Sequence, residues 1–218
     1  MPLVDSLSPR TQDSLDNVFC KISNAAMGEG SSEDEERVLN ELEKRGLRLN
    51  SIWDLVNGPD CPKELIPTLV ECLREVRHPS VKEGIVRSLT IRAARGIADD
   101  ALLHEFRNSD DDLYRWTVGH ALRTVLSPKD YRIIIDLVKE RRYGSGRQEL
   151  VDKLGYVNKP EVVTTLLDML EDDDVMGHAI GALARLKASD ALPKVRMLVN
   201  HRFPFVRRSA KKFIKKFG

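Results

Sequence analysis

The stretch Asp173-Asp174-Val175-Met176-Gly177-His178-Ala179-Ile180-Gly181-Ala182-Leu183 sets Val175, Ala179 and Leu183 at i, i+4 and i+8. That spacing keeps the three on one face of a helix, because side chains four apart lie one above another. Toward the amino end the triplet recurs as Gly146, Leu150, Leu154, then Tyr114, Val118, Leu122, then Val81, Ile85, Leu89. Toward the carboxyl end it recurs as Val206, Ala210, Ile214. In chain order the first members stand 33, 32, 29 and 31 residues apart. A period of that size marks a repeated unit that buries its apolar face only against its neighbours.

Each triplet follows a second apolar helical segment, such as 62–76 with Leu65, Leu69 and Leu73, or 160–170 with Val163, Leu167 and Leu170. The unit is therefore helix, turn, helix. Pro62, Pro128 and Pro160 fall near the first turns of first helices, and the acidic runs 109–112 and 171–174 precede second helices, where capping oxygens and negative charge are favoured. Signals for β-hairpins are missing. The reading is an all-α protein, an α-solenoid of about five helical hairpins over 61–218 as one continuous domain. Residues 1–60 are read as an irregular helical cap, since the end of a stack must be shielded. There Ser8-Pro9 opens a helix carrying Leu15, Val18, Phe19 and Ile22, 28–32 is a break, 33–45 is a charged helix stopped by Gly46, and Asn50 caps a short helix with Trp53, Leu55 and Val56.

The segment 173–183 and Phe205-Val206-Arg207-Arg208-Ser209-Ala210 resemble the second helix of HEAT repeats, in which Val-Arg-x-x-Ala follows an Asp or Pro turn. The resemblance covers about residues 62–218. The short unit is similar to the HEAT-like repeats of bacterial proteins and phycobilisome lyases. It implies a HEAT-like solenoid and leaves the function open. The position after each triplet's first member reads Lys82, Arg115, Arg147, Met176, Arg207. The resemblance implies that this ladder binds neighbouring turns through an Asp before the helix, supplied here by Asp112 and Asp173. Met176 breaks the ladder, and Pro79, Gly144 and Pro204 replace the turn Asp elsewhere.

At 218 residues, 41% hydrophobic and 32% charged, the composition suits a folded domain. The opening residues have no secretory pattern and no apolar run reaches membrane length, so the expected location is the cytoplasm, with no membrane partner. Cys20, Cys61 and Cys72 form no CxxC or Cys/His cluster and read as core-filling thiols. Nucleotide-binding fingerprints, HExxH and GxSxG are absent from the sequence, so no catalytic residue, metal site or cofactor is expected. The runs 110–112 and 172–174 lack the alternate spacing and turn glycine of a calcium loop, and read as helix caps. Gly144-Ser145-Gly146, flanked by Arg141, Arg142 and Arg147, reads as a tight turn rather than a phosphate loop.

In a stack of this kind second helices line the concave side, so their outward positions form columns. Two and six residues after each triplet's start come Glu83 and Arg87, Trp116 and His120, Gln148 and Asp152, Gly177 and Gly181, Arg208 and Lys212. The candidate partner surface comprises Glu83, Arg87, Arg115, Trp116, His120, Arg147, Asp152, His178, Arg208 and Lys212, and the expected partner is another protein, bound by a non-catalytic scaffold, adaptor or inhibitor module. Trp116 either anchors that partner or fills a seam between repeats.

The alternative is nucleic acid at the basic carboxyl end, through Arg202, Arg207, Arg208, Lys211, Lys212, Lys215 and Lys216. From Ala191 onward the chain holds nine Lys/Arg and no Asp/Glu, while the preceding residues hold 26 basic against 34 acidic groups. Phe203, Phe205, Phe213 and Phe217 interleave with those cations, and either stack on bases or pack beneath the last helix. A third reading takes alkylpurine DNA glycosylases, which resemble HEAT stacks, and casts Trp116 with Asp152 or Asp112 as their aromatic and carboxylate.

Overall fold

The computed structural model describes residues 32–218. The expected Ser8-Pro9 helix and Cys20 lie outside them. Twelve α-helices are present among the described residues, paired in sequence as α1 Glu33–Glu43 with α2 Ile52–Asn57, α3 Ile66–Glu75 with α4 Pro79–Ser88, α5 Asp99–Asn108 with α6 Asp112–Val125, α7 Tyr131–Lys139 with α8 Gln148–Leu154, α9 Pro160–Asp168 with α10 Met176–Arg185, and α11 Leu192–Arg196 with α12 Pro204–Phe217. The five hairpins read from the period are there, and α1 and α2 form a further pair in the segment read as an irregular cap.

Local chemistry accounts for the boundaries. Ser32 caps α1 by accepting from the Glu35 amide at 3.2 Å, with four acidic residues in the first turn, and the turn beyond ends at Gly46 with φ +88°. The cap of α2 is Ser51 rather than Asn50. The Ser51 hydroxyl accepts from Trp53 while Asp54 accepts from the Ser51 and Asn50 amides, a capping box one residue later than expected. Pro79, Pro160 and Pro204 occupy the first position of their helices, where a missing N–H costs nothing. Asp111 caps α6 through the amides of Leu113 and Tyr114. Gly144, at φ +47°, makes the turn between α7 and α8.

The triplets form the spine of the core. Val81, Ile85, Leu89, Val118, Leu122, Leu150, Leu154, Val175, Ala179, Leu183, Val206 and Ala210 are all buried, and Tyr114 and Ile214 are partly so. Second helices pack on one another in succession from α2 through α12, more extensively than the first helices do. The first hairpin shares the core through Val38, Leu42, Ile52, Trp53 and Leu55. Polar ties reinforce it. The Trp53 indole donates to Ser80 at 3.3 Å, and Asp34 accepts the amides of Arg77 and His78 at 2.7 Å each, which holds its carboxyl below the ordinary range. Cys61 and Cys72 are buried, and burial pushes both thiols up to about 11.

Candidate second-helix face

The arginine ladder is internal to the stack. Arg115 is buried; its Nε donates to the Phe106 carbonyl at 3.3 Å, Nη1 to Asp112 at 2.6 Å, and Nη2 to the Ser109 carbonyl. Arg147 has no exposed surface at all and donates to the carbonyls of Gly144 and Val138 and to the carboxylates of Asp172 and Asp174. Arg207 donates to the carbonyls of His201 and Arg202. Arg115 and Arg147 each cover a carbonyl in the last turn of the preceding first helix, Phe106 and Val138, which has no intrahelical partner, and all three arginines hold carbonyls of the connection to the second helix. Arg115 and Arg147 were expected on the partner surface as well as in the ladder; burial withdraws both from it. The carboxylate expected beside the ladder in the fifth described hairpin was Asp173, and it is Asp172. Asp173 turns the other way, to Arg202 and to His201 at 3.3 Å. At the fourth ladder position Met176 is simply buried.

The remaining candidates stay at the surface, and α6, α8 and α10 bring four of them together. Trp116 and His120, one turn apart on α6, are partly exposed and stack with centroids 6.0 Å apart and planes 19° from parallel. His120 Nδ1 lies 3.6 Å from Glu149 on α8. Arg123, one turn beyond His120, reaches Glu149 and Asp152 at 2.9 Å each. Asp152 takes a second arginine, Arg185 of α10, at 2.6 Å, and its carbonyl accepts from the same guanidinium at 2.8 Å. Arg185 in turn covers the exposed ring of Tyr156 at 4.5 Å. His178 of α10 acts electrostatically on Glu149.

Burial raises the Glu149 carboxyl, but the nearby His120 and the charges of Arg123 and His178 outweigh it, and the group rests below its ordinary range. Lys153 is drawn down to about 8 by burial and by the cations Arg95 and Arg123, and its ammonium donates to the Arg123 carbonyl at the end of α6. Sequence reading named Trp116, His120, Asp152 and His178 here. It missed Glu149, Arg123 and Arg185, which fall outside the two columns and are joined only by the register of the stack.

On the flanking helices, Glu83 and Arg87 form a 2.8 Å pair on α4, and Arg208 and Lys212 are exposed on α12. The carboxylates considered for glycosylase chemistry are both engaged, Asp152 between two arginines and Asp112 with Arg115. At the basic end Phe213 is buried and pairs with Phe217 at 4.7 Å, while Phe203 and Phe205 pack against the core, so the aromatics lie beneath the cations rather than beside them. Arg202 is held by Asp173, and Lys216 reaches the Ala184 carbonyl at 3.4 Å. Lys211 and Lys215 are exposed. Among the described residues no group of His, Cys, Asp or Glu is arranged to hold a metal ion, and no helix is long and apolar enough to cross a membrane.

Residues 132–213, running from α7 into α12, match the family model described as HEAT repeats, which supports a HEAT-repeat family. A crystal structure of an engineered protein from the Northeast Structural Genomics Consortium aligns with 92% of this chain and 96% of its own at 15% identity, with a TM-score of 0.49. No curated protein matches the chain.

Proposed function

We propose that the chain is a non-catalytic binding module that holds another protein against its second-helix face, centred on Trp116, His120, Asp152 and His178, with Glu83, Arg87, Arg208 and Lys212 on the flanking helices. The observation that carries this reading is the Trp116–His120 stack, an aromatic pair left partly exposed on a surface whose charged groups are already fixed. Large aromatic and arginine side chains are the usual anchors of protein interfaces, and they cost least to use when their geometry is set before the partner arrives. Arg123 and Arg185 provide that fixing here, since each is tied to a carboxylate on the neighbouring helix.

A photo-cross-linking residue placed at 113, exposed on α6 one turn before Trp116, tests the reading against one placed at 139, which is exposed on α7. A discrete protein adduct at 113 with none at 139 is expected. Adducts only at 139, or the same adducts at both, would overturn it.

A further inference from the structure

Helix α12 has two unlike sides. Val206, Ala210 and Phe213 face inward and are buried against the preceding helices, and Phe217 is half-covered beside them. With 3.6 residues per turn, Arg208, Lys211, Lys212 and Lys215 fall on the opposite side, and all four are exposed. Their positions at i, i+3, i+4 and i+7 make one stripe about 10 Å long. Among the described residues no carboxylate pairs with Lys211, Lys212 or Lys215. Several cations elsewhere on the molecule are matched across repeats, as Lys82 is with Glu105, Arg123 with Glu149, and Arg202 with Asp173, whereas α12 sets three unmatched lysines side by side on one face.

We propose that this stripe docks an acidic helical segment of a partner protein along α12, a reading that rests on the proposed binding role and shares Arg208 and Lys212 with the second-helix face. Carboxylates at i, i+3, i+4 and i+7 of an α-helix repeat at the same spacing as the stripe, so a helix lying along α12 can set one acid against each cation. The apolar side of α12 is already used inside the core, which removes the buried face that an amphipathic helix needs to enter a membrane interface. A long polyanion fits poorly. The stripe reaches few phosphates, and the residues before Ala191 hold 34 acidic against 26 basic groups, so a duplex extending past α12 meets repulsion. A short acidic helix ends before that repulsion begins.

The test is fluorescence anisotropy of the full chain with a labelled alanine-rich helical peptide bearing Glu at i, i+3, i+4 and i+7, alongside a peptide of identical composition with its Glu residues spread round the helix and a labelled DNA duplex. Lys211→Glu/Lys215→Glu leaves Arg208 and Lys212 of the second-helix face in place. Lys63→Glu/Lys129→Glu makes the same change in net charge at exposed positions remote from α12. The expected result is binding of the one-faced peptide at low salt, weaker binding of the scrambled one, and a loss of about fivefold or more in the α12 variant but not in the control. Equal binding of both peptides, an equal loss in both variants, absence of peptide binding, or tighter binding of the duplex would each overturn the proposal.

Discussion

Arg147, at the amino-terminal cap of α8, and Asp172, just before α10, form a two-point pair inside the stack, at 2.8 and 3.3 Å, with the arginine wholly covered and the aspartate nearly so. The pair links two successive hairpins, and the same guanidinium holds the Val138 and Gly144 carbonyls of its own hairpin. Removing the acid leaves a buried cation with only the longer, 3.4 Å contact to the partly exposed Asp174 as countercharge. Asp172→Ala is therefore expected to lower unfolding stability by about 3–5 kcal/mol in urea denaturation. Arg147→Lys is expected to restore little, because an ammonium cannot span both carboxylate oxygens and two carbonyls at once. A loss below about 1 kcal/mol in Asp172→Ala would show that the pair does not hold the hairpins together.

Two pH limbs follow from the shifted groups. Burial raises Asp172 but the Arg147 hydrogen bond and charge outweigh it, and Glu149 is likewise held low, so both carboxyls are depressed in the folded state. Their contribution is fully present above the unfolded values of about 4 and is lost as pH falls through the folded values. Stability measured by urea midpoint should drop steeply below that point, and less steeply in Asp172→Asn. Lys153 has the opposite bearing. Its folded value near 8 lies below the unfolded one, so the unfolded chain binds more protons between the two and stability rises with pH from about 8 to about 10. Lys153→Met should flatten that rise, and an unchanged slope would count against the burial described for this amine.

Two glycines on second helices should respond in opposite directions to alanine. A Cβ at Gly119 would stand 2.5 Å from the Gly146 carbonyl oxygen, a backbone atom of the next hairpin that cannot step aside. At Gly181 nothing lies within 4 Å. Gly119→Ala should cost about 1–3 kcal/mol by overpacking, and Gly181→Ala should gain about 0.5–1 kcal/mol from helix propensity. Thermal melts of the two variants give the comparison directly.

The fold was legible because burial imposes a period. Val81, Ile85 and Leu89 and their four counterparts recur because each second helix turns the same face to its neighbours. The first described hairpin was harder to read, since α2 is only six residues long and uses Ile52, Trp53 and Leu55 in one turn and a half without room for a triplet. In the site, Trp116, His120, Asp152 and His178 could be placed by counting along helices. Glu149, Arg123 and Arg185 could not, because their pairing depends on how far each hairpin slides against the next. Arg147 misled for a different reason. Its charge argues for the surface, and only a carboxylate 25 residues away, together with two carbonyls, makes its burial tolerable.

Anchoring of another protein by the partly exposed aromatic pair on α6 is tested most directly by affinity capture at high salt with the unaltered chain and with Trp116→Ala/His120→Ala, after circular dichroism has established that both have the same helix content and melting point. The expected result is a discrete protein retained by the unaltered chain and lost, by tenfold or more (about 1.4 kcal/mol), from the variant. Equal recovery from both chains would contradict it.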